Sequence, residues 1–432
     1  MSELLPEQEP VPLPVAGEPA KRGYFARTFS ALSYRDFRLL WFGAFTSTTG
    51  TFMQTLAQGW LVYTLTNSAF LLGVDGFLAT GPMLLFSLFG GVIADRIERR
   101  KIMMASQYAQ MTFAFVLTAL IYFHKVKIWH IFLLSFLTGS AQSFSGPAYI
   151  SLLPLLVKRE DIPNAVAMNS MQFNLARVIG PSIGGLVFYA WGAAVCFGLN
   201  GLSFVAVLIA LSMIKIPPVR EGAGKTSVLV QMKEGFDFVR HRRSLLLLTF
   251  LAFAGTFLGM PLFTMLPVVA RRIFDLGPRG LSLLQADYGV GSVVGALLVA
   301  STGYAAKKGR IALMMQLGFA MTLIAFGMSR SLVASLVIAF IAGCCIVGVV
   351  SMYSSLVQLT TSDAMRGRVM SIFMLAFRGG MPLGNLLAGW IAEKWSIAIA
   401  LMVNGAILAV IALVFILRGT DLDSQLDPVA AR

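Results

Sequence analysis

Four fully charged side chains lie inside apolar stretches long enough to cross a membrane. They are two carboxylates and two guanidiniums: Asp75, Asp287, Arg177 and Arg378. Because an ionisable group in hydrocarbon is costly, such residues mark a transport pathway or a proton site by default. A carboxylate that alternates between a dry site and one beside an arginine would bind and release a proton. We therefore take all four as candidate functional residues, with Asp75 and Asp287 as proton carriers.

The composition indicates a multi-pass protein of the cell membrane, with the lipid bilayer as a partner. Of the 432 residues, 57% are hydrophobic and only 12% are charged, against about 25% charged in soluble domains. The mean hydropathy is +0.78. The net charge of +14 does not predict a nucleic-acid partner, because the basic residues lie between apolar runs rather than in one patch.

Twelve apolar spans predict an all-α polytopic fold, since each is near or above the ~20 residues that a crossing helix needs. Of the 34 lysines and arginines, 25 fall on the side that holds both termini and seven on the other. By the positive-inside rule both termini are cytoplasmic. The spans are 37–65, 69–93, 102–123, 129–153, 164–190, 193–214, 244–268, 281–304, 310–329, 332–358, 368–392 and 396–418.

The spans divide six and six around a polar central segment. Within that segment, Val228, Met232, Phe236 and Val239 recur at helical spacing and predict an amphipathic helix on the cytoplasmic surface. The predicted parts are a disordered cytoplasmic tail at 1–36, a six-helix bundle at 37–214, a cytoplasmic linker at 215–243, a second six-helix bundle at 244–418 and a cytoplasmic tail at 419–432.

The two halves repeat each other. A shift of 201 residues aligns Arg177 with Arg378. A shift of 212 residues aligns Asp75 with Asp287. Two parallel six-helix repeats resemble the plan of the major facilitator transporters.

The loop after the second span strengthens this resemblance. Its sequence GVIADRIERRK, at 91–101, is similar to the signature between helices 2 and 3 of the major facilitator superfamily, although Glu98 replaces the second glycine. The resemblance implies that Asp95 contacts the cytoplasmic start of helix 11 and holds the two halves together there. The residues of this gate motif are Gly91, Asp95, Arg96, Arg99 and Arg100, with Arg366 and Arg368 at the start of helix 11.

The fifth span carries GPSIGG, which resembles a helix-5 motif of antiporters and exporters in the same superfamily. The matching residues are Gly180, Pro181, Gly184 and Gly185. The phrases GWLVYTLTNSAFLLG, PAYISLLPLLV and RGRVMSIFMLAFRGGMPLGN resemble the branch of enterobactin exporters and macrolide-efflux proteins. This resemblance implies efflux of a siderophore-like or drug-like molecule.

The resemblance also implies how the four charges meet, because in the superfamily fold helix 2 faces helix 11 and helix 5 faces helix 8. We expect two bridges, Asp75–Arg378 and Arg177–Asp287, that form when the external side closes. The alternative is that each charge bonds to its helix neighbours or lines a wet cavity without gating.

The coupling ion is harder to predict. Many proton-driven relatives have a carboxylate in helix 1 and an arginine in helix 4. Here the first span has no acidic residue between Phe37 and Leu65, and Ser135 occupies the arginine position. Protons therefore remain a candidate coupling ion only through Asp75 and Asp287.

In such folds helices 1, 4, 7 and 10 line the central cavity. A cavity of scattered amides among aromatic residues and methionines suits an amphipathic organic molecule. Interhelical hydrogen bonding is the alternative role for each polar residue. The cavity candidates are Gln54, Gln58, Gln142, Thr256, Tyr353 and Gln358.

Other chemistry finds little support in the sequence. The segment GAGKT at 222–226 lacks the first glycine of a phosphate loop, and we expect no catalytic residues, no metal and no cofactor. We therefore predict a non-enzymatic, monomeric secondary transporter that exports a small amphipathic organic molecule by alternating access, as an antiporter. Two alternatives stay open: an importer with the same fold, and a non-transporting membrane receptor or scaffold.

Overall fold

The computed structural model describes residues 29–86, 98–214, 228–301 and 308–418, and these residues are almost entirely α-helical. Most of the predicted N-terminal tail and the whole of 419–432 lie outside the described residues. So do three members of the predicted gate motif, Gly91, Asp95 and Arg96.

Each predicted span overlaps at least one helix. The seventh span is divided between two helices at Pro261, because proline has no backbone N–H to continue the first of them. Beyond Thr80, the second span continues through a turn at Gly81 to Phe86. In chain order the helices are α1 (Arg35–Thr66), α2 (Ala69–Thr80), α3 (Arg99–Tyr122), α4 (Ile128–Leu152), α5 (Ile162–Met213), α6 (Val228–Arg240), α7 (Arg243–Gly259), α8 (Pro261–Arg272), α9 (Pro278–Ser301), α10 (Lys308–Met328), α11 (Leu332–Leu359), α12 (Asp363–Lys394) and α13 (Ile397–Leu417).

Many of these helices have membrane-crossing dimensions. Among the described residues, nine helical stretches are long and apolar enough to cross a bilayer. One of the nine contains all of α5, which is broken at Gly192 (φ 79°) into a first arm, 162–191, and a second arm, 193–213. The remaining long helices, α1 and α4, have 32 and 25 residues. The molecule is therefore all-helical and multi-pass.

Two long seams join helices of the first part of the chain to helices of the second part. Along one seam α12 packs on α2, and along the other α9 packs on the first arm of α5. Glycine permits the close approach: a Cβ atom on Gly73 would lie only 2.4 Å from the backbone oxygen of Asn385. Small residues of this kind allow helix backbones to touch within a membrane.

The two groups of helices are tied together at one end of these seams. Oε2 of Glu393, at the end of α12, accepts a hydrogen bond from the backbone N–H of Ala69 at 2.7 Å. Nη2 of Arg272, at the end of α8, donates to the backbone oxygen of Asn67 at 2.9 Å. We call this region, where α1, α8 and α12 end and α2 begins, the closed end.

The linker helix α6 packs on the first turns of α12, at the opposite end from these ties. Nη1 of Arg368 lies 2.9 Å from Oε2 of Glu234, and Gly235 lies against the backbone of Arg368. Val239 is buried, whereas Phe236 is 53% exposed. The protein thus covers Val239 and leaves Phe236 on the surface, because the close approach at Gly235 turns that side of α6 toward α12.

Candidate functional site

Asp75 lies in a buried polar cluster with Gln58 and Ser135. The hydroxyl of Ser135 donates to Oδ1 of Asp75 at 2.5 Å. Nε2 of Gln58 lies 2.8 Å from Oδ2 and 3.1 Å from Oδ1 of Asp75. Asp75 is only 5% exposed, and Gln58 is partly exposed. The cluster therefore joins α1, α2 and α4 around one carboxyl group.

The packing of α2 explains why Asp75 points into this cluster. Gly73 and Gly76 both lie against Asn385 of α12, so they mark the face of α2 that forms the seam. Successive residues of an α-helix are rotated by about 100°, because one turn contains 3.6 residues. Asp75 therefore points away from the seam, toward α1 and α4.

Asp287 occupies a different environment, on α9. Its Oδ2 atom is buried and has no hydrogen-bond partner among the described residues. Gly291, one helical turn further along, lies against the backbone oxygen of Phe340 in α11. Residues four apart share a helix face, so Asp287 also faces α11. Gly289, on the other side of α9, contacts the backbone of Arg177.

The two arginines occupy equivalent places on their helices. Each lies fifteen residues beyond the helix start, since α5 begins at Ile162 and α12 at Asp363. Nη1 of Arg378 contacts the sulfur of Met83 at 3.2 Å. The guanidinium carbon of Arg177 lies 5.1 Å from the ring centre of Phe173.

The predicted bridges Asp75–Arg378 and Arg177–Asp287 are not formed in this structure. Within the described part of the chain, the ion pairs with nitrogen–oxygen distances up to 4.0 Å involve other residues. The first bridge fails because Arg378 reaches Met83, which follows α2 after the turn at Gly81 and lies eight residues, or about 12 Å at helical rise, beyond Asp75. The second fails because Asp287 points from α9 toward α11, whereas Arg177 lies on α5 beside Phe173.

Three of the six predicted cavity residues, Gln54, Gln58 and Tyr353, bond to neighbouring helices. Oε1 of Gln54 accepts from Nδ2 of Asn200 at 2.6 Å, and the hydroxyl of Tyr353 donates to Gln316. The hydroxyl of Thr256 donates to backbone oxygens of its own helix. The two cavity candidates with exposed side chains are Gln142 and Gln358.

The glycines of the predicted helix-5 motif act in packing. Gly180 and Gly184 of α5 lie against Phe52 and Met53 of α1. Gly185 lies against Ser282 of α9, and Pro181 lies within the helix. The motif thus lets α5 pack closely on α1 and on α9 at once.

The described arginines of the predicted gate motif bind backbone oxygens at the ends of other helices. Nη1 of Arg99 donates to the oxygen of Ser151 at 3.2 Å, and Nη2 of Arg100 donates to the oxygen of Ser212 at 2.8 Å. Cations at helix C-termini stabilise the exposed carbonyl groups there. At the start of α12, Arg368 pairs with Glu234, and Arg366 is exposed.

Sequence reasoning missed the closed end and one buried amide. Glu393 and Arg272 lie at helix termini, where charged residues are common, so their residue types did not indicate a contact between the two groups of helices. Asn385 is 0% exposed, lies in the α2–α12 seam, and has no partner for Oδ1 or Nδ2 among the described residues. A polar residue within an apolar span was the available signal for Asn385.

The long apolar helices and the charges placed halfway along them are the features of a multi-pass membrane transporter. The model of the transmembrane secretion effector family matches residues 26–429, and the chain belongs to this family of major facilitator transporters. The family is non-enzymatic, and its members act at the cell membrane.

Individual relatives agree with this assignment. The chain is 24% identical to macrolide efflux protein A of Streptococcus pyogenes, over 81% of this chain and 87% of that protein. It is 24% identical to the staphyloferrin A transporter of Staphylococcus aureus, over 88% and 95%. A crystal structure of the nucleoside transporter NupG shares the fold, with a TM-score of 0.72 at 13% identity over 88% of this chain and 98% of that one.

Proposed function

We propose that the chain exports a small amphipathic organic molecule by alternating access, in exchange for protons bound at Asp75. The relatives include efflux proteins for macrolides and a transporter for a siderophore, which favours export over import. The receptor alternative has no support from these relatives. In this proposal twelve spans cross the bilayer, both termini are cytoplasmic, and the protein works as a monomer.

The observation that carries the proposal is the buried cluster around Asp75. An isolated carboxylate in a membrane interior is costly unless it is hydrogen-bonded or protonated. Ser135 and Gln58 supply donors to the carboxylate, and the described residues provide no cation within ion-pair distance. The carboxyl group can therefore hold its charge through neutral donors and take up a proton when those donors move away.

The cluster differs from the arrangement of many proton-driven relatives, which have a carboxylate in helix 1 and an arginine in helix 4. Its three residues come from α1, α2 and α4, and Ser135 replaces the arginine expected in the fourth span. In this chain the acid lies in the second span and contacts both the first and the fourth. This arrangement supports a proton site in the first part of the chain.

The closed end supplies the second part of the mechanism. With both termini in the cytoplasm, the ends of α1, α8 and α12 lie on the external side. The ties from Glu393 to Ala69 and from Arg272 to Asn67 would then hold the external side shut. Export requires these ties to break once the substrate has bound from the cytoplasm.

Transport of two amphipathic dyes of opposite charge, fluorescein and rhodamine 123, into inverted membrane vesicles tests the proposal. Wild-type vesicles with an acidic interior should accumulate at least one dye beyond the level of vesicles that lack the protein, and collapse of the pH gradient should stop this accumulation. Asp75→Asn should abolish the response to the gradient while leaving exchange of that dye in place, because exchange needs no net proton movement.

A matched control is Asp275→Asn. Asp275 is an exposed loop residue with φ 50°, a conformation that asparagine also adopts readily. This variant should transport like wild type. Gradient-driven accumulation that survives in Asp75→Asn would exclude Asp75 as the coupling site, and accumulation only in right-side-out vesicles would show an importer.

A further inference from the structure

We infer that the exported molecule carries a carboxylate, and that Arg378 binds this group. This inference rests on the proposed export function and specifies its substrate: an amphipathic organic anion. The observations behind it are the unused donors of the two guanidiniums, their positions on the helices and the apolar groups beside them.

Both guanidiniums lack an acidic partner among the described residues. Arg378 makes a contact to a thioether sulfur, and Arg177 lies beside an aromatic ring. Each guanidinium carries five N–H donors in a planar fork that matches a carboxylate. Most of these donors therefore have no acceptor within the described part of the chain, which a charged group within a spanning helix tolerates only beside water or a ligand.

The acidic side chains of the spans face other helices. Asp75 is bonded to Gln58 and Ser135 on the far face of α2, and Asp287 faces α11. Among the described residues neither carboxylate lies within ion-pair distance of an arginine. A carboxylate from the substrate would supply the missing counter-charge.

The exposure of the two arginines makes Arg378 the contact for the ligand. Arg378, on α12, reaches Met83 in the helical stretch that follows α2, and Arg177 lies where α5 meets α9, at the same depth from their helix starts. The side chain of Arg378 is exposed, whereas that of Arg177 is partly buried. Arg378 is therefore the residue that can meet the carboxylate.

The neighbours of the arginines indicate the rest of the ligand. The thioether of Met83 and the ring of Phe173 are polarisable apolar groups. They suit an aromatic or branched carbon skeleton attached to the acid. An inside-negative membrane potential also favours the outward movement of an anion, which agrees with export.

Two fluorescent dyes that share one ring skeleton provide the test. Fluorescein is an anion with a carboxylate at neutral pH, and rhodamine 123 is a cation of nearly the same size and shape. Binding to the purified full-length protein in detergent is measured by fluorescence anisotropy. We expect fluorescein to bind at least about tenfold more tightly than rhodamine 123, since a charge-assisted bidentate pair is among the stronger polar contacts.

The variants locate the site. Arg378→Gln should weaken fluorescein binding by about tenfold, and Arg378→Lys should restore part of it, because lysine keeps the charge but loses the planar fork. Arg177→Gln should have a smaller effect. The control Arg240→Gln removes an exposed arginine of α6 and should bind like wild type. Size-exclusion profiles verify that each variant is folded.

Three results would overturn the inference: equal or tighter binding of rhodamine 123, failure of fluorescein to bind, or unchanged fluorescein binding in Arg378→Gln. Inverted vesicles separate this inference from the export proposal. Export of the cation but not the anion would leave the exporter intact and remove the anion site. Specific fluorescein binding without transport of either dye would keep the anion site and remove the export proposal.

Discussion

Replacement of Asn385 by leucine should stabilise the closed end. Asn385 is 0% exposed, and both polar atoms of its side chain lack partners among the described residues. A buried polar group without a partner costs about 1–3 kcal/mol. Leucine has the same branched shape without polar atoms, so we expect the closed conformation to gain a comparable free energy. That gain corresponds to a population shift of about 5- to 150-fold.

The shift can be measured as a distance between spin labels across the closed end. Leu65, near the end of α1, and Trp395, just beyond α12, are both exposed and suit cysteine labelling once Cys196, Cys344 and Cys345 have been replaced. In Asn385→Leu the short-distance population should increase. Efflux should slow, because opening of the external side would now cost more.

A second asparagine provides the matched control. Nδ2 of Asn404 donates to the backbone oxygen of Leu258 at 3.0 Å, and both residues belong to the second part of the chain, away from the α2–α12 seam. Asn404→Leu should therefore lower the melting temperature and leave the label distances unchanged. A lower melting temperature or a smaller short-distance population in Asn385→Leu would refute the reasoning, since it would show that this amide stabilises the closed end.

Three further predictions concern single contacts. Glu393→Gln removes a charge from the start of α2, so the closed end should lose about 0.3–1 kcal/mol, seen as a smaller short-distance population between the same labels. Glu234→Gln breaks an exposed ion pair with Arg368 and should change the melting temperature little, because such pairs contribute about 0–1 kcal/mol. The hydrogen bond from Tyr34 to Asp161, at 2.7 Å, raises the pKa of Tyr34 above its usual value of about 10. Its stabilisation should therefore be complete below that pH and lost as the pH rises through the folded-state pKa, an alkaline step that thermal unfolding of Tyr34→Phe should lack.

The helices could be predicted from the sequence because span length and polar interruptions are local properties. Pro261 divides a long apolar run, and Gly192 with φ 79° breaks another, so each acts on its own stretch of backbone. The amphipathic pattern of the linker also predicted a helix. The pattern did not show which of its apolar residues the protein covers, because that depends on the contact of Gly235 with α12, which the local pattern does not contain.

The site was harder to predict because it depends on which helix face meets which neighbour. The sequence identified the four intramembrane charges but paired them across the seams. Gly73 and Gly76 on either side of Asp75 held the missing signal: paired small residues mark the close-packed face of α2 and therefore turn the acid away from it. Gly289 and Gly291 beside Asp287 gave the same kind of signal for α9.

The orientation of α2 connects the proposed proton site to the proposed carboxylate site. One face of α2 presents Asp75 to Gln58 and Ser135, and the seam side meets α12 at Asn385. Beyond α2, Met83 of the same span contacts Arg378. Protonation of Asp75 would weaken the hydrogen bonds that hold α2 against α1 and α4. The helix could then shift along the glycine seam and change how Met83 lies against Arg378. A direct bridge between Asp75 and Arg378 would have made the Asp75 carboxylate and the substrate carboxylate compete for one arginine. With the two sites apart, each can influence the other while both are occupied.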